Sequence, residues 1–389
     1  MSELRKLMNL IESIEKGEGY EINGLSVIDI EDFVDDENIN EADDDMFGAT
    51  YSDFEGDQLQ SYLDRIKNKE KEKGDKFSKP YIHGSNIEIL DSTSGKKYDT
   101  EKLKTLVKQR PDKILKQNQK MQLSDGTSSV FYNVGLPALK GLAVNEKTDK
   151  FIIVNTCPGA GQCKTFCYAM KGGYVQWKAT SMNQSRMLNY LLNDPSGFSA
   201  QMKAELTKAE KSAAKKGDKV IVRWHDAGDF FSPQYLKLAY DVARSFPDVD
   251  FYAYTKLANV AQGEMPSNFL QNFSQGALRS QEKQIDFKKA KHSKVVPKDM
   301  FYDMIAKDGK KLKKDKKGRM QFSSKQNLLA FKDKLAQTYD IDVKSILTYD
   351  EMMQTPLADK PIYNVIVMPG DGDDSANRKD VHGSYLLFH

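Results

Sequence analysis

Cysteine is scarce in this chain, and long apolar runs are missing from it. The 389 residues include three cysteines, whereas a disulfide framework needs an even number spread along the chain. No apolar run approaches the roughly 20 residues that span a bilayer. The first 17 residues are a polar segment rather than a secretory leader. The sequence therefore predicts a cytoplasmic protein with no membrane span, in a compartment where thiols stay reduced.

Basic residues are absent from a long N-terminal stretch and crowded into a later one. Residues 18–64 contain no lysine or arginine, while acids cluster at 35–37 and 43–45. This composition predicts a flexible acidic tail. Residues 307–319 (KDGKKLKKDKKGR) are almost all basic. They form either a solvated, lysine-rich hairpin tip or a surface for nucleic acid, and the sequence leaves both open.

Hydrophobic periodicity predicts an α/β fold with a parallel sheet and a C-terminal inserted α+β subdomain. Continuous apolar runs that end in turn signals predict strands at 151–156, 219–224 and 250–255. Apolar spacing of three and four predicts helices at 178–193, 197–215 and 234–245.

Four regions follow from this pattern. Residues 1–110 are predicted to hold a helix at 2–16, a charged helix at 57–72 and an acidic, weakly ordered remainder. Residues 111–284 are the α/β core. Residues 285–355 are the subdomain, with the basic hairpin and a helix, and residues 356–389 return as a core strand and a C-terminal motif.

All three cysteines lie in one loop, TCPGAGQCKTFCYA, directly after the strand predicted at 151–156. Thiolates bind soft centres such as zinc and iron–sulfur clusters. Three cysteines, Cys157, Cys163 and Cys167, would leave one iron of a [4Fe–4S] cluster open for another ligand. Zinc with His225 as the fourth ligand is the rival, although the C-x5-C-x3-C spacing suits zinc poorly. Plain burial of small thiols is the third reading.

Polar side chains also follow the next two predicted strands. The loop HDAGD carries His225, Gly228 and Asp229, and Lys256 follows the third strand. Because the carboxyl ends of parallel strands meet at one edge, we expect these residues beside the cysteines. The alternative is an ordinary turn in which Asp229 or Ser232 caps the next helix.

Arg186 and Asn189 lie one turn apart on the helix after the cysteine loop. They are candidates for binding a carboxylate or a ribose, or for pairing with the acids of HDAGD. Near the C-terminus, GDGDDSANRKD lacks the glutamate that ends a calcium loop. A local ion pair between Asp374 and Arg378 is predicted there instead.

The chain resembles a family of phage proteins called gene product 88. The resemblance rests on VGLPALKG (134–141), CPGAGQCKTFCYA (157–169), RWHDAGDFFSPQYL (223–236), YAYTK (252–256) and the helix with Arg186 and Asn189. It implies a viral gene that acts in the host cytoplasm, and it fixes no activity.

More distantly, the chain resembles radical S-adenosylmethionine enzymes. These have a partial (β/α) barrel, a three-cysteine loop after the first strand, an aromatic residue before the last cysteine, and a Gly-Gly-Glu turn that binds the methionine amino group. Phe166 and Ala227-Gly228-Asp229 are similarly placed. The spacing departs from the usual C-x3-C-x2-C, and no ribose or adenine motif follows. The resemblance implies that the parallel sheet is a partial (β/α) barrel-like sheet. It also implies S-adenosylmethionine as cofactor and a flavodoxin or ferredoxin as reductant.

Three functions follow. The first is a radical S-adenosylmethionine-like enzyme of unknown substrate with a [4Fe–4S] cluster. The second is an electron-transfer or redox-sensing protein whose fourth cluster ligand is His225 or an aspartate. The third is a zinc-stapled protein that binds nucleic acid through residues 307–319.

Overall fold

The computed structural model describes residues 21–22, 25–26, 46–54, 100–117, 129–170, 174, 178–309, 311–316 and 318–387. The helices predicted at 2–16 and 57–72 lie outside these residues, as does most of the acidic segment. Among the described helices, none combines the length and the apolar composition that crossing a membrane requires.

The strands are numbered in chain order. Within the described ranges they are β1 Glu21–Ile22, β2 Leu25–Ser26, β3 Tyr51–Asp53, β4 Ser129–Val134, β5 Lys140–Asn145, β6 Lys150–Asn155, β7 Lys219–Trp224, β8 Asp250–Thr255, β9 Phe269–Ser274, β10 His292–Val295, β11 Lys307–Asp308, β12 Lys311–Leu312, β13 Ile346–Thr348, β14 Tyr363–Val367 and β15 Val381–Leu386. The α-helices of the same ranges are α1 Thr100–Lys108, α2 Lys178–Asn193, α3 Pro195–Ala214, α4 Pro233–Ser245, α5 Ala258–Gln262, α6 Arg279–Gln284, α7 Lys325–Tyr339, α8 Tyr349–Gln354 and α9 Asp374–Asn377.

Eight strands form one parallel sheet in the order β13-β14-β15-β10-β9-β8-β7-β4. From β4 to β10 each new strand of this sheet joins next to the previous one. The chain then crosses to β13 at the far end and returns through β14 to β15, beside β10. The α/β fold with a parallel sheet is thus confirmed, and the strands predicted at 219–224 and 250–255 are observed at those residues.

The strand before the cysteine loop, β6, is not part of the parallel sheet, so the prediction that placed it there was wrong. β6 lies between β5 and β3 in a three-stranded antiparallel sheet. Its residues Phe151 to Val154 are buried, which produces the continuous apolar run. A run of that kind indicates a strand buried on both faces, and it does not distinguish a parallel sheet from an antiparallel one.

Alternate side chains of the parallel sheet face two different environments. Trp224, Phe251 and Phe269 pack together with centroids 5.8 to 6.2 Å apart, in the core that α2, α3 and α4 cover. Neighbouring residues point the other way because side chains alternate along a strand. On that second face Tyr252 packs beside α9, and the face also carries polar groups.

Residues 46–54 belong to the core. Met46, Ala49 and Phe54 are at most 1% exposed, and β3 pairs with β6. Residues 46–54 therefore belong to the fold, although the sequence predicted a weakly ordered region over 1–110.

Residues 285–355 contribute both to the main sheet and to a layer beside it. β10 and β13 are strands of the parallel sheet. β11 and β12 form the predicted hairpin, and α7 packs Phe331 and Leu335 into a second core. The division of the chain into four regions stays a prediction.

Candidate functional site

The cysteine loop lies across the carboxyl ends of three parallel strands. At β7, the Asp229 N–H donates to the carbonyl oxygen of Thr156 at 2.8 Å. At β9, the N–H groups of Gly161 and Cys163 both donate to the carbonyl oxygen of Gly276, at 3.1 and 3.0 Å. The expected meeting of the cysteine loop with the HDAGD loop is therefore observed, although β6 reaches this edge from the antiparallel sheet.

Two glycines of CPGAGQC permit this close docking. A Cβ added to Gly159 would stand 2.6 Å from the carbonyl oxygen of Lys256, at the end of β8. A Cβ added to Gly161 would stand 2.2 Å from the carbonyl oxygen of Ala277. Both positions need glycine because the loop touches the backbone of its neighbours.

The cysteine thiols are close enough to influence one another. Burial raises the pKa of Cys157 well above its ordinary value, and the nearby Asp229, Cys167 and Cys163 raise it further. The Leu139 N–H donates to the sulfur of Cys157 at 3.3 Å. Thiols held in this way stay protonated unless a positive centre replaces the protons, and metal binding does so.

Cys163 and Cys167 have different surroundings. Burial raises the pKa of Cys163, and the ammonium of Lys256 opposes that rise. Cys167 packs against Ala138, Ala227 and Tyr174, so it lies beside the HDAGD loop. Across the parts of the chain that the structure describes, no three His, Cys, Asp or Glu side chains are arranged to hold one metal ion.

Asp229 is a buried cross-link between the loops. One carboxylate oxygen accepts the N–H of Phe230 at 2.7 Å and the other accepts the N–H of Lys256 at 2.8 Å. Burial raises its pKa, and these hydrogen bonds oppose the rise. With both oxygens in use, the carboxylate ties the loop after β7 to the end of β8, and the backbone N–H of the same residue bonds Thr156 before the cysteine loop. Ser232, the other predicted cap, accepts the N–H of Tyr235 at the start of α4.

His225 lies in an aromatic pocket. Its Nε2 is 2.8 Å from the hydroxyl of Tyr235, and its ring is 4.6 Å from that of Phe230. Burial, with the charge of Arg223, lowers its pKa to about 3, so the ring is neutral. Trp224 donates to the same hydroxyl. The other ring nitrogen, Nδ1, is buried and has no hydrogen-bond partner among the described residues.

Gly228 and Lys256 also serve the docking of loops. Gly228 has φ +86°, and a Cβ there would stand 2.8 Å from that of Leu136. The ammonium of Lys256 donates to the carbonyl oxygens of Ser274 and Gln275 and to the Ser274 hydroxyl, at 2.6 to 3.0 Å. Lys256 therefore joins β8 to β9 and places a positive charge near Cys163.

Arg186 and Asn189 are not brought to this edge. Arg186 donates to the carbonyl oxygen of Leu106 in α1. The Asn189 side chain accepts the N–H of Val144 at 2.9 Å, and Val144 pairs with Phe151 at the start of β6. Cys157 lies six residues further along, about 20 Å at the rise of a strand. Their predicted role in binding a cofactor has no contact to support it.

Several polar residues beside the loop were missed as site residues. The hydroxyls of Tyr168 and Tyr174 donate to Asp226, at its backbone and side-chain oxygens respectively. The other side-chain oxygen, Oδ1, is buried without a partner and would be 2.3 Å from a Cβ on Gly135. The sequence signal for Asp226 was its position just after a buried strand.

Arg223 contacts the C-terminal motif close to these residues. Arg223 pairs with Asp373 at 2.7 Å, and the hydroxyls of Tyr252 and Tyr254 donate to the same carboxylate at 2.9 and 3.0 Å. The polar face of β7 and β8 is thus bound to the loop after β14. Arg378 pairs with Asp380 at 2.6 Å, and its predicted pair with Asp374 stays a prediction because that side chain is outside the described part.

Comparisons with known proteins agree on one family. Residues 105–340 match the family described as gene product 88. The Gene 88 proteins of Mycobacterium phages D29 and L5 are each 30% identical over 142 residues, which cover 35% of this chain and 52% of the relative. The chain thus spans about half the length of these curated relatives. No solved structure matches.

Proposed function

The chain belongs to the gene product 88 family, and we propose that it is an iron–sulfur protein acting in the host cytoplasm. Cys157, Cys163 and Cys167 hold one [4Fe–4S] cluster, and its open iron binds S-adenosylmethionine in a radical-type enzyme. A flavodoxin or ferredoxin of the host is the proposed reductant. When bound, the cluster would supply an electron to that cofactor.

The observation that carries the proposal is the docking of the cysteine loop. The loop is held by backbone hydrogen bonds and by Asp229 at the ends of β7 and β9. This is the edge of a parallel sheet where ligands of α/β proteins bind. The two glycines permit the loop to dock closely on the backbone after β8 and β9.

The arrangement favours a cluster over a single zinc ion. Structural zinc sites usually take their cysteines from C-x2–4-C pairs, and the C-x5-C-x3-C spacing of this loop departs from that pattern. A cubane cluster takes its thiolates on separate iron atoms. His225, the proposed fourth zinc ligand, has its Nε2 directed to Tyr235.

The same contacts favour an open iron over a fourth protein ligand. Asp229 already satisfies two backbone N–H groups, and His225 lies against Phe230 and Tyr235. Removing either group from its partners would leave buried polar atoms unpaired, which costs about 1–3 kcal/mol each. Asp229 is therefore a positioning residue. The resemblance to radical S-adenosylmethionine enzymes predicts that Gly228 and Asp229 bind the methionine amino group, and the proposal does not include this role.

Lys256 contributes to the charge of the site. Its ammonium opposes the rise in the pKa of Cys163, so it favours the thiolate that a metal requires. Its three hydrogen bonds to β9 fix its position. Replacing it should weaken the cluster without removing a ligand.

Anaerobic preparation tests the proposal. The wild-type chain should bind iron and sulfide and absorb near about 400 nm, as thiolate-ligated iron does. Each Cys→Ser variant should lose most of the iron, whereas His225→Gln should keep it. If wild type takes up only zinc when iron is supplied, the zinc alternative is correct.

Electron paramagnetic resonance of the reduced protein separates the enzyme from an electron carrier. With an open iron, S-adenosylmethionine should change the signal of wild type. An unchanged signal, together with an altered cluster in Asp229→Ala or His225→Gln, would mean that a protein side chain fills the fourth position. The protein would then be an electron-transfer or redox-sensing protein.

A further inference from the structure

We propose that the basic hairpin, residues 307–319, binds the phosphate backbone of double-stranded nucleic acid and holds it at the same sheet edge as the cysteine loop. The binding does not depend on the cluster. We add that the bound nucleic acid presents the substrate to the site, and this second part rests on the proposed function.

The hairpin leaves the sheet at the edge of the candidate site. It follows the carboxyl end of β10, and β10 pairs in parallel with β9. The residues after β9 hold the cysteine loop through Gly276. The hairpin also reaches the carboxyl end of β14, because Arg319 lies 3.9 Å from Asp371 in the loop that follows this strand. The hairpin and the cysteine loop therefore lie on the same edge of the sheet, and β14 is three strands from β9, about 14 Å at the usual spacing of strands.

The hairpin is anchored rather than loosely attached. Arg319 pairs with Asp315 at 2.9 Å and with Asp350 at 2.5 Å, and it lies 3.9 Å from Asp371 in the loop after β14. Phe322 packs on Phe331 of α7 with centroids 5.3 Å apart. Leu312 also packs against this second core. A fixed element presents its charges without losing much conformational freedom on binding.

Four lysines of this element face solvent. Lys311, Lys313, Lys314 and Lys316 are exposed, and none of them has an ion pair with another described residue. Of the acids nearby, Asp315 pairs with Arg319 and Asp303 with Lys307, while Asp308 lies opposite Lys311 in the hairpin. Thirteen residues hold eight basic and two acidic side chains. Such a surface attracts a polyanion.

The composition of the hairpin indicates which polyanion. Residues 307–319 contain no aromatic residue on which unpaired bases could stack. Lysine is a point charge that contacts phosphates rather than reading base edges in pairs of hydrogen bonds. Duplex nucleic acid, with its dense and regular phosphates, therefore fits better than a single strand, and binding should not depend on sequence.

Fluorescence anisotropy with a DNA duplex of about 20 base pairs tests the proposal over a range of salt concentrations. Wild type should bind at low salt, and its affinity should fall steeply as salt rises. Each phosphate contact contributes about −0.9 to the slope of log affinity against log salt. Replacing Lys311, Lys313, Lys314 and Lys316 with Gln should therefore make the slope shallower by about 3 to 4 and weaken binding at least about tenfold.

The control changes the same net charge on α3. Lys208, Lys211, Lys215 and Lys216 are exposed there, and their replacement with Gln should leave duplex binding nearly unchanged. Equal losses in the two quadruple variants, or no duplex binding by wild type at low salt, would overturn the proposal. Tighter binding to single strands or to anionic lipid vesicles than to DNA and RNA duplexes would also overturn it. Both variants should retain iron, so a failure here is separate from a failure of the cluster.

Discussion

At the scale of single residues, Asp229 shows how burial decides a role. The sequence presents it as a carboxylate at a strand end, suited to an amine or a metal. The structure surrounds it with the N–H groups of Phe230 and Lys256, and it is 3% exposed. A buried carboxylate that accepts such hydrogen bonds holds backbone segments in place.

Replacing Asp229 should therefore affect folding and the site together. Asp229→Ala leaves two buried N–H groups without acceptors, and we expect unfolding to become easier by about 3 kcal/mol. Asp229→Asn keeps one acceptor and should cost less. Urea denaturation with iron analysis measures both effects. A stable Asp229→Ala protein that keeps its iron but no longer responds to S-adenosylmethionine would restore the cofactor-binding role.

Two buried histidines should make stability depend on pH. Burial lowers the pKa of His225 to about 3 and that of His292 to about 4, from an ordinary 6.5. Below pH 6.5 the unfolded chain therefore binds protons that the folded protein does not, and stability falls as the pH falls towards 4. Between pH 7 and 5 each histidine should cost about 2 kcal/mol.

Denaturant unfolding at pH 7, 6 and 5 measures this dependence. His225→Gln should flatten the profile by about the contribution of one histidine, even if it lowers stability at pH 7. An unchanged slope would show that His225 already binds its proton in the folded state or that the unfolded chain binds none.

At the scale of elements, the cysteine loop is defined by what it touches. At Gly161 the neighbouring backbone leaves no space for a side chain. Gly161→Ala would place a Cβ 2.2 Å from the carbonyl oxygen of Ala277. We expect the loop to shift and the iron content to fall severalfold, although all three cysteines remain.

A matched glycine provides the control for that experiment. Gly217, after α3, has φ +72° and no neighbour within 4 Å of an added Cβ. Gly217→Ala should cost about 1–2 kcal/mol through its left-handed backbone and leave the iron unchanged. Equal iron content in the two variants would show that close docking of the loop is not needed for metal binding.

At the scale of the whole molecule, the N-terminal region has two parts. Residues 18–45 carry the acids, whereas Met46, Tyr51 and Phe54 are buried in the core or against it. The charge pattern of a solvated tail predicts that residues 18–75 can be removed without loss of the cluster. The structure changes that expectation, because such a deletion also removes β3.

Two truncations separate these parts. Deletion of residues 2–44 should leave the melting temperature and the iron content unchanged. Deletion of residues 2–54 should destabilise the protein by more than about 4 kcal/mol, since each large buried side chain contributes about 1.5–3 kcal/mol. Thermal unfolding and iron analysis provide the comparison, and equal stability of the two truncated proteins would contradict the packing described for β3.

The sequence by itself determined the local features of this protein. Strands β7 and β8, helix α2 and the cap at Ser232 were predicted at or near their observed positions, because side-chain periodicity and capping act over a few residues. The cysteine loop was found for the same reason, since its three thiols lie within eleven residues.

Only the tertiary structure decided which distant groups meet. It placed β6 in an antiparallel sheet, sent Arg186 and Asn189 to α1 and β5, and paired Arg223 with Asp373, 150 residues away. No local pattern carries such information, because contacts of this kind form only when the whole chain has collapsed and many pairings have been satisfied together. The edge where the cysteines, Asp229 and Lys256 meet is a property of the assembled sheet, and the residue types alone supplied its candidates.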